Sequence, residues 1–162
     1  MSEREVSERE APEREAPERL GPERGAPERL GPDSGARPAA GLKVGQVLRE
    51  RRTITDADVA AFAELTGDQG RHHLPDQGRA MAHGLLTASL ATKIGGRLDF
   101  IARRMVWEFL RPVWVGDTIT AEVTVRAMSE VHAGTGLELD VEISNQDGKP
   151  VLRGESTGIV RH

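Results

Sequence analysis

There is no cysteine among the 162 residues, so neither a disulfide framework nor thiolate chemistry is available. This agrees with a reducing compartment, and the cytoplasm is the expected location. No stretch approaches the roughly 20 apolar residues of a membrane-spanning helix, and the first residues lack the apolar run of a signal peptide. Neither sign of charge dominates: 22 Lys and Arg stand against 26 Asp and Glu, for a formal net charge of -4. Such a balance gives no nucleic-acid footprint and no basic face for a membrane, so a small molecule or another protein is the expected partner. Apolar residues are also scarce at 37%, low for a globular chain, and the deficit falls almost wholly at the N-terminal end.

That end repeats in fives from Ser2: SEREV, SEREA, PEREA, PERLG, PERGA, PERLG and a decayed PDSGA. Such a period fits neither helix nor strand. Recurrent proline removes backbone donors, and the Glu-Arg pairs leave almost nothing apolar to offset the entropy of ordering. Residues 1–40 are therefore expected to be a disordered low-complexity tail, and residues 41–162 a single domain, which the length allows.

Within the domain, Val47 to Ile54 reads as a first strand. Thr55 and Asp58 have capping-box spacing, opening a helix that runs to about Thr66 with Val59, Phe62, Ala63 and Thr66 on one side. Gly67 is placed to end it. Asp76 to Ala82 allows a short helical turn. Gly84 to about Ile94 is a more apolar helix, with Leu85, Leu86, Ala88, Leu90 and Ala91 covering more than one stripe, and Gly95-Gly96 is expected to stop it. The period then changes from helix to strand. Arg104 to Arg111 is strand-like, Pro112 interrupts it, and Gly116-Asp117 turns the chain. Ile119, Ala121, Val123 and Val125 alternate with polar residues, as do Leu137, Leu139, Val141 and Ile143, and Asp147-Gly148 makes a hairpin into Val151 to Val160. A central helix, a preceding helix and about five antiparallel strands make an α+β domain in which the sheet wraps the apolar helix.

The stretch from Thr66 to Leu90, TGDQGRHHLPDQGRAMAHGLLTASL, concentrates the chemistry. Asp68 and His73 lie in a polar loop, and His83-Gly84 opens the central helix, where free amides can face the same cavity. A base, an acid and an anion donor are then close in sequence. Taken alone, Gly67-Asp68 also fits a helix stop and turn, and His83 a histidine packed at a helix start. His72, His73 and His83 lack the spacing of a structural zinc site or a helical His pair, so no metal is expected. Trp107 and Trp114 read as packing residues, and Arg103-Arg104 as a solvated strand end.

From Gly41 onward the chain resembles the MaoC-like hot-dog dehydratases, which include the R-specific enoyl-CoA hydratases. Gly67-Asp68 and His73, Ala82-His83-Gly84, Phe109, Pro112-Val113 and Gly116-Asp117 carry the resemblance. Gly70 and Arg71 stand where that family has Asn-Pro. The resemblance implies a single hot-dog domain, pairing as a homodimer with the ligand tunnel at its interface. It also implies addition or removal of water across the 2,3 double bond of an acyl thioester. Coenzyme A or a carrier protein would bear the acyl group, and no separate cofactor is expected. By the same analogy Asp68 and His73 serve the water and the proton, and the Gly84 N–H is the oxyanion donor beside His83. Arg71 would hold a carboxylate or polar acyl group by a forked contact, and Thr92 matches a pocket hydroxyl. Two other readings stay open: a hot-dog thioesterase, in which the carboxylate sends water against the carbonyl, and a noncatalytic acyl-binding or partner subunit.

Overall fold

The computed structural model describes residues 41–75 and 78–161, so the expectation for residues 1–40 lies outside the described residues. Five antiparallel strands form one sheet in the order β1-β3-β4-β5-β2, where β1 is Val47–Thr53, β2 Phe100–Phe109, β3 Thr118–Val131, β4 Gly134–Ser144 and β5 Pro150–Arg161. The alternation read from β3 and β4 becomes the inner face of this sheet. Val123 pairs with Val141 and Ala121 with Ile143, and all four are buried together with Ile119, Val125, Leu137 and Leu139. On the outer face, Arg126 meets Glu138, Asp140 and Glu155, and Arg153 meets Glu142. One face is dry and the other is a mesh of ion pairs, so a one-residue slip of register would bury the charges.

Helix α1, Asp56–Thr66, begins at a true capping box: the Thr55 hydroxyl accepts from the Asp58 N–H, and the Asp58 carboxylate accepts from the Thr55 N–H. It ends at Gly67, whose φ of 75° is a left-handed conformation that costs glycine little. Helix α2, Gly84–Arg97, lies against the inner face, packing on β1, β2 and β3. Leu86, Ala88, Leu90 and Ile94 are buried there. Leu86, Thr87 and Ala88 are consecutive and all buried, so α2 is covered on more than one side, while Leu85 is exposed.

Some boundaries moved. The expected stop at Gly95-Gly96 does not occur: α2 continues to Arg97, and the Leu98 N–H reaches back to the Ile94 and Gly95 carbonyls. Glycine disfavours a helix interior by only about 1 kcal/mol, which packing of the last turn against Phe100 can outweigh. Of the short turn expected over Asp76 to Ala82, Asp76 and Gln77 lie outside the described residues. The rest is not helical, since Met81 forms a β-bridge with Trp114. A 3₁₀ turn instead spans Arg71–His73. Strand β2 starts at Phe100 rather than Arg104. Glu50 of β1 points inward, where Lys93 and Arg97 of α2 hold its carboxylate at 2.9 and 2.5 Å. Among the described residues no helix is long and apolar enough to cross a membrane.

Candidate active site

Asp68 leaves α1 just past its glycine stop and stays solvent-accessible, its side chain 56% exposed. The Asp68 carboxylate accepts the Gly70 N–H at 3.2 Å, which folds the loop back. The 3₁₀ turn then carries His73 inward to a buried position, with Nε2 3.8 Å from Asp68 Oδ2. On the other side of the ring, Nδ1 lies 2.7 Å from the Met81 carbonyl. A carbonyl only accepts, so Nδ1 carries the proton in neutral His73 and the Nε2 lone pair faces Asp68. At 3.8 Å the two groups are too far apart for a direct bond and close enough to share one water.

His83 backs this pair. Its ring stacks on His73 with centroids 3.6 Å apart and planes 19° from parallel, and Phe62 lies behind it at 5.0 Å. His83 Nε2 donates to the Asp68 carbonyl at 3.1 Å, so Nδ1 is left as a buried acceptor with no partner. Asp68, His73 and His83 have donor atoms within 4.8 Å of one another, a set that invites a metal. Stacked rings hold their nitrogen lone pairs in two nearly parallel planes, however, and a metal ion needs ligands that converge on it. The arrangement suits a shared water better.

Gly84 is the first residue of α2, where backbone N–H groups have no helical partner and the helix dipole favours an anion. The Phe109 ring covers it: a methyl on Gly84 would sit 2.9 Å from Phe109 Cε1. Gly84 and Phe109 are shared by two open hollows. One, of about 380 Å³, contains Asp68, His83, Phe62 and Leu85. The other, of about 490 Å³, contains His72, His73, Thr87 and Arg111. A third cavity of about 270 Å³ lies further along α2, lined by Ala91, Thr92, Gly95, Trp107, Val141 and others. Its walls are mostly apolar.

Comparison with known proteins gives the family of the chain. No family model matches. The (R)-specific enoyl-CoA hydratase of Aeromonas caviae is 37% identical over 129 residues, covering 73% of this chain and 95% of that protein. The chain belongs to the MaoC-like hot-dog hydratases and dehydratases. The solved A. caviae (R)-hydratase superposes with a TM-score of 0.68 at 34% identity, over 74% of this chain and 98% of that one. The mitochondrial 3-hydroxyacyl-acyl-carrier-protein dehydratase FERN of Solanum lycopersicum is 28% identical over 131 residues, covering 74% of this chain and 78% of that protein.

Of the residues singled out in the sequence of this MaoC-like protein, Asp68, His73, His83 and Gly84 come together. Arg71 and Thr92 do not join them. Arg71 is exposed at the start of the 3₁₀ turn, outside the lining of both hollows. Thr92 lies two turns beyond Gly84, lining the apolar cavity, with its hydroxyl donating to the Ser89 carbonyl at 2.6 Å. Sequence reasoning missed the Phe109 ring over Gly84 and the Met81 carbonyl behind His73. Asp117, read as a turn residue and as part of the family pattern, is a buried clamp. Burial pushes its carboxyl up, but bonds from the Trp114 N–H, Gln146 and Arg79, with the Arg79 charge, outweigh this and hold it below its ordinary value.

Proposed function

We propose that this protein adds water to, or removes it from, the 2,3 double bond of an acyl thioester, with Asp68 and His73 acting on the water and Gly84 on the carbonyl. The observation that carries the reading is the 3.8 Å gap between Asp68 Oδ2 and the His73 Nε2 lone pair, beside the free amide end of α2. A water in that gap donates one hydrogen to each acceptor, leaving an oxygen lone pair for C3. Asp68 removes one proton as the C3–O bond forms, and negative charge moves through C2 onto the thioester oxygen. The Gly84 N–H donates a hydrogen bond to that oxyanion and stabilises it. The enolate then collapses and C2 takes a proton from the Asp68–His73 pair, so H and OH have been added and both groups are restored. Dehydration is the reverse.

The apolar cavity along α2 is suited to the acyl chain, and the open hollow at His72 and Arg111 to the coenzyme A or carrier arm. A homodimer is part of the proposal. Among the described residues strand β2 is an edge of the sheet, pairing only with β5, and Ile101, Met105, Val106 and Phe109 are exposed along it. An apolar unpaired edge is a surface for strand pairing. Residues 41–162 are proposed to suffice for activity, so deleting residues 1–38 should leave turnover unchanged.

The test is a panel of enoyl and 3-hydroxyacyl thioesters on coenzyme A and on a carrier protein, with products separated by mass. Interconversion differing by one water supports the reading. Release of free thiol without hydration would move the assignment to thioester hydrolysis.

A further inference from the structure

The segment that supplies the Met81 carbonyl is held from outside the site. Residues 80–82 lie along residues 113–115: the Ala82 N–H donates to Val113 at 2.8 Å, the Val115 N–H to Ala80 at 2.9 Å, and the Met81 N–H to His72 at 2.9 Å. One β-bridge is a weak fastening. At its head stands Arg79, whose Nε donates to the Val115 carbonyl at 2.8 Å and whose Nη2 donates to Asp117 Oδ1 at 2.7 Å. Asp117 in turn is fixed by the Trp114 N–H at 2.9 Å and Gln146 at 3.1 Å. An arginine gripping a buried carboxylate and a carbonyl with two arms of its fork is a directional tie rather than a diffuse charge pair.

We propose that Arg79 and Asp117 are positioning residues for the reaction: they hold residues 80–82 against residues 113–115 so that the Met81 carbonyl fixes the His73 proton on Nδ1 and keeps the Nε2 lone pair on the water side. Neither residue touches the reacting atoms. They act through one backbone carbonyl. Without the tie, Met81 can drift, and a His73 ring freed from its carbonyl exchanges between the two neutral tautomers. In the Nε2–H tautomer it can no longer accept from the water. The kinetic half of this inference rests on the hydration reading, while the tautomer half stands without it.

The test uses the full chain and two variants, Arg79→Met, which keeps most of the stem, and Arg79→Lys, which keeps the charge. Nitrogen-15 NMR reads the His73 tautomer, and hydration of crotonyl-CoA reads turnover. Wild type should show His73 with the proton on Nδ1. Arg79→Met should mix the tautomers and lower kcat roughly 10-fold to 100-fold, the scale of a misplaced catalytic group, with KM within about twofold. Arg79→Lys should recover only part of both, because one ammonium can meet Asp117 but does not reproduce the fork that also holds Val115. If Arg79→Met does not fold, Asp117→Asn is read the same way, since the amide oxygen can still accept from Trp114. A wild-type His73 protonated on Nε2 would overturn the proposal. So would a folded Arg79→Met protein with the wild-type tautomer, whatever its turnover. Absent hydration in every form, with the tautomer shifting as expected, would leave the tie in place and sink the hydration reading instead.

Discussion

Replacing Asp68 by Asn tests the proposed chemistry most directly, because asparagine keeps the shape of the side chain and loses the ability to take a proton. Two hydrogen bonds of about 2.8 Å at a near-tetrahedral water span about 4.4 Å, slightly more than the 3.8 Å between Asp68 Oδ2 and His73 Nε2. The exposed Asp68 side chain can open that gap by a small rotation, so a bridging water fits. A general base contributes about 10²-fold to 10⁴-fold, and each decade is about 1.4 kcal/mol of barrier. Asp68→Asn should therefore lower kcat by 100-fold or more, about 2.7 kcal/mol, while thioester binding stays near wild type. The assay is loss of the conjugated enoyl absorbance, with binding measured separately by calorimetry. His73→Ala should do comparable damage. If both groups serve one water, the double variant should be little worse than either single one. Hydration retained in a folded Asp68→Asn protein would refute the reasoning, and losses that multiply in the double variant would show that the two residues act in separate steps.

Gly84→Ala sets a methyl against the Phe109 ring at 2.9 to 3.2 Å. The ring is half-exposed and can swing, so the melting temperature should hold while kcat/KM falls at least roughly tenfold, since alanine suits a helix but blocks the thioester. Glu50 is held below its ordinary carboxylate value of 4.5, first by the Lys93 hydrogen bond, which with the charges of Arg97 and Lys93 outweighs the opposite push of burial. Its stabilising contribution is thus complete above pH 4.5 and fades as pH falls through the lower folded value. Glu50→Gln should cost about 1–3 kcal/mol at pH 7 in urea denaturation, a difference that shrinks on acidification. Val106→Lys puts a charge on the open edge of β2 and should give a monomer by sedimentation. An unchanged sedimentation coefficient would show that copies do not pair along β2.

The legible parts of this fold and site are those in which side-chain identity and burial coincide. Ile119, Ala121, Val123 and Val125 alternate because one face of β3 is dry, and every one of them is buried. Thr55, Asp58 and Gly67 announce the ends of α1 because caps need particular side chains, or the lack of one. On β2 that coupling fails: nearly every residue from Ile101 to Phe109 is accessible, so its first residues carried no alternation and its start was placed late. In the site, Asp68, His73 and Gly84 were readable because carboxylate, imidazole and a missing Cβ are chemical statements. The orientation of His73 was not, because it depends on a carbonyl that any residue at position 81 would supply. The resemblance put Thr92 in a pocket, and the pocket it lines is the apolar cavity two turns beyond Gly84, not the hollows beside Asp68 and His73. A backbone group has no signature of its own, so what remains readable is the side chain that holds the backbone in place. Arg79, with its fork divided between Val115 and Asp117, is such a side chain.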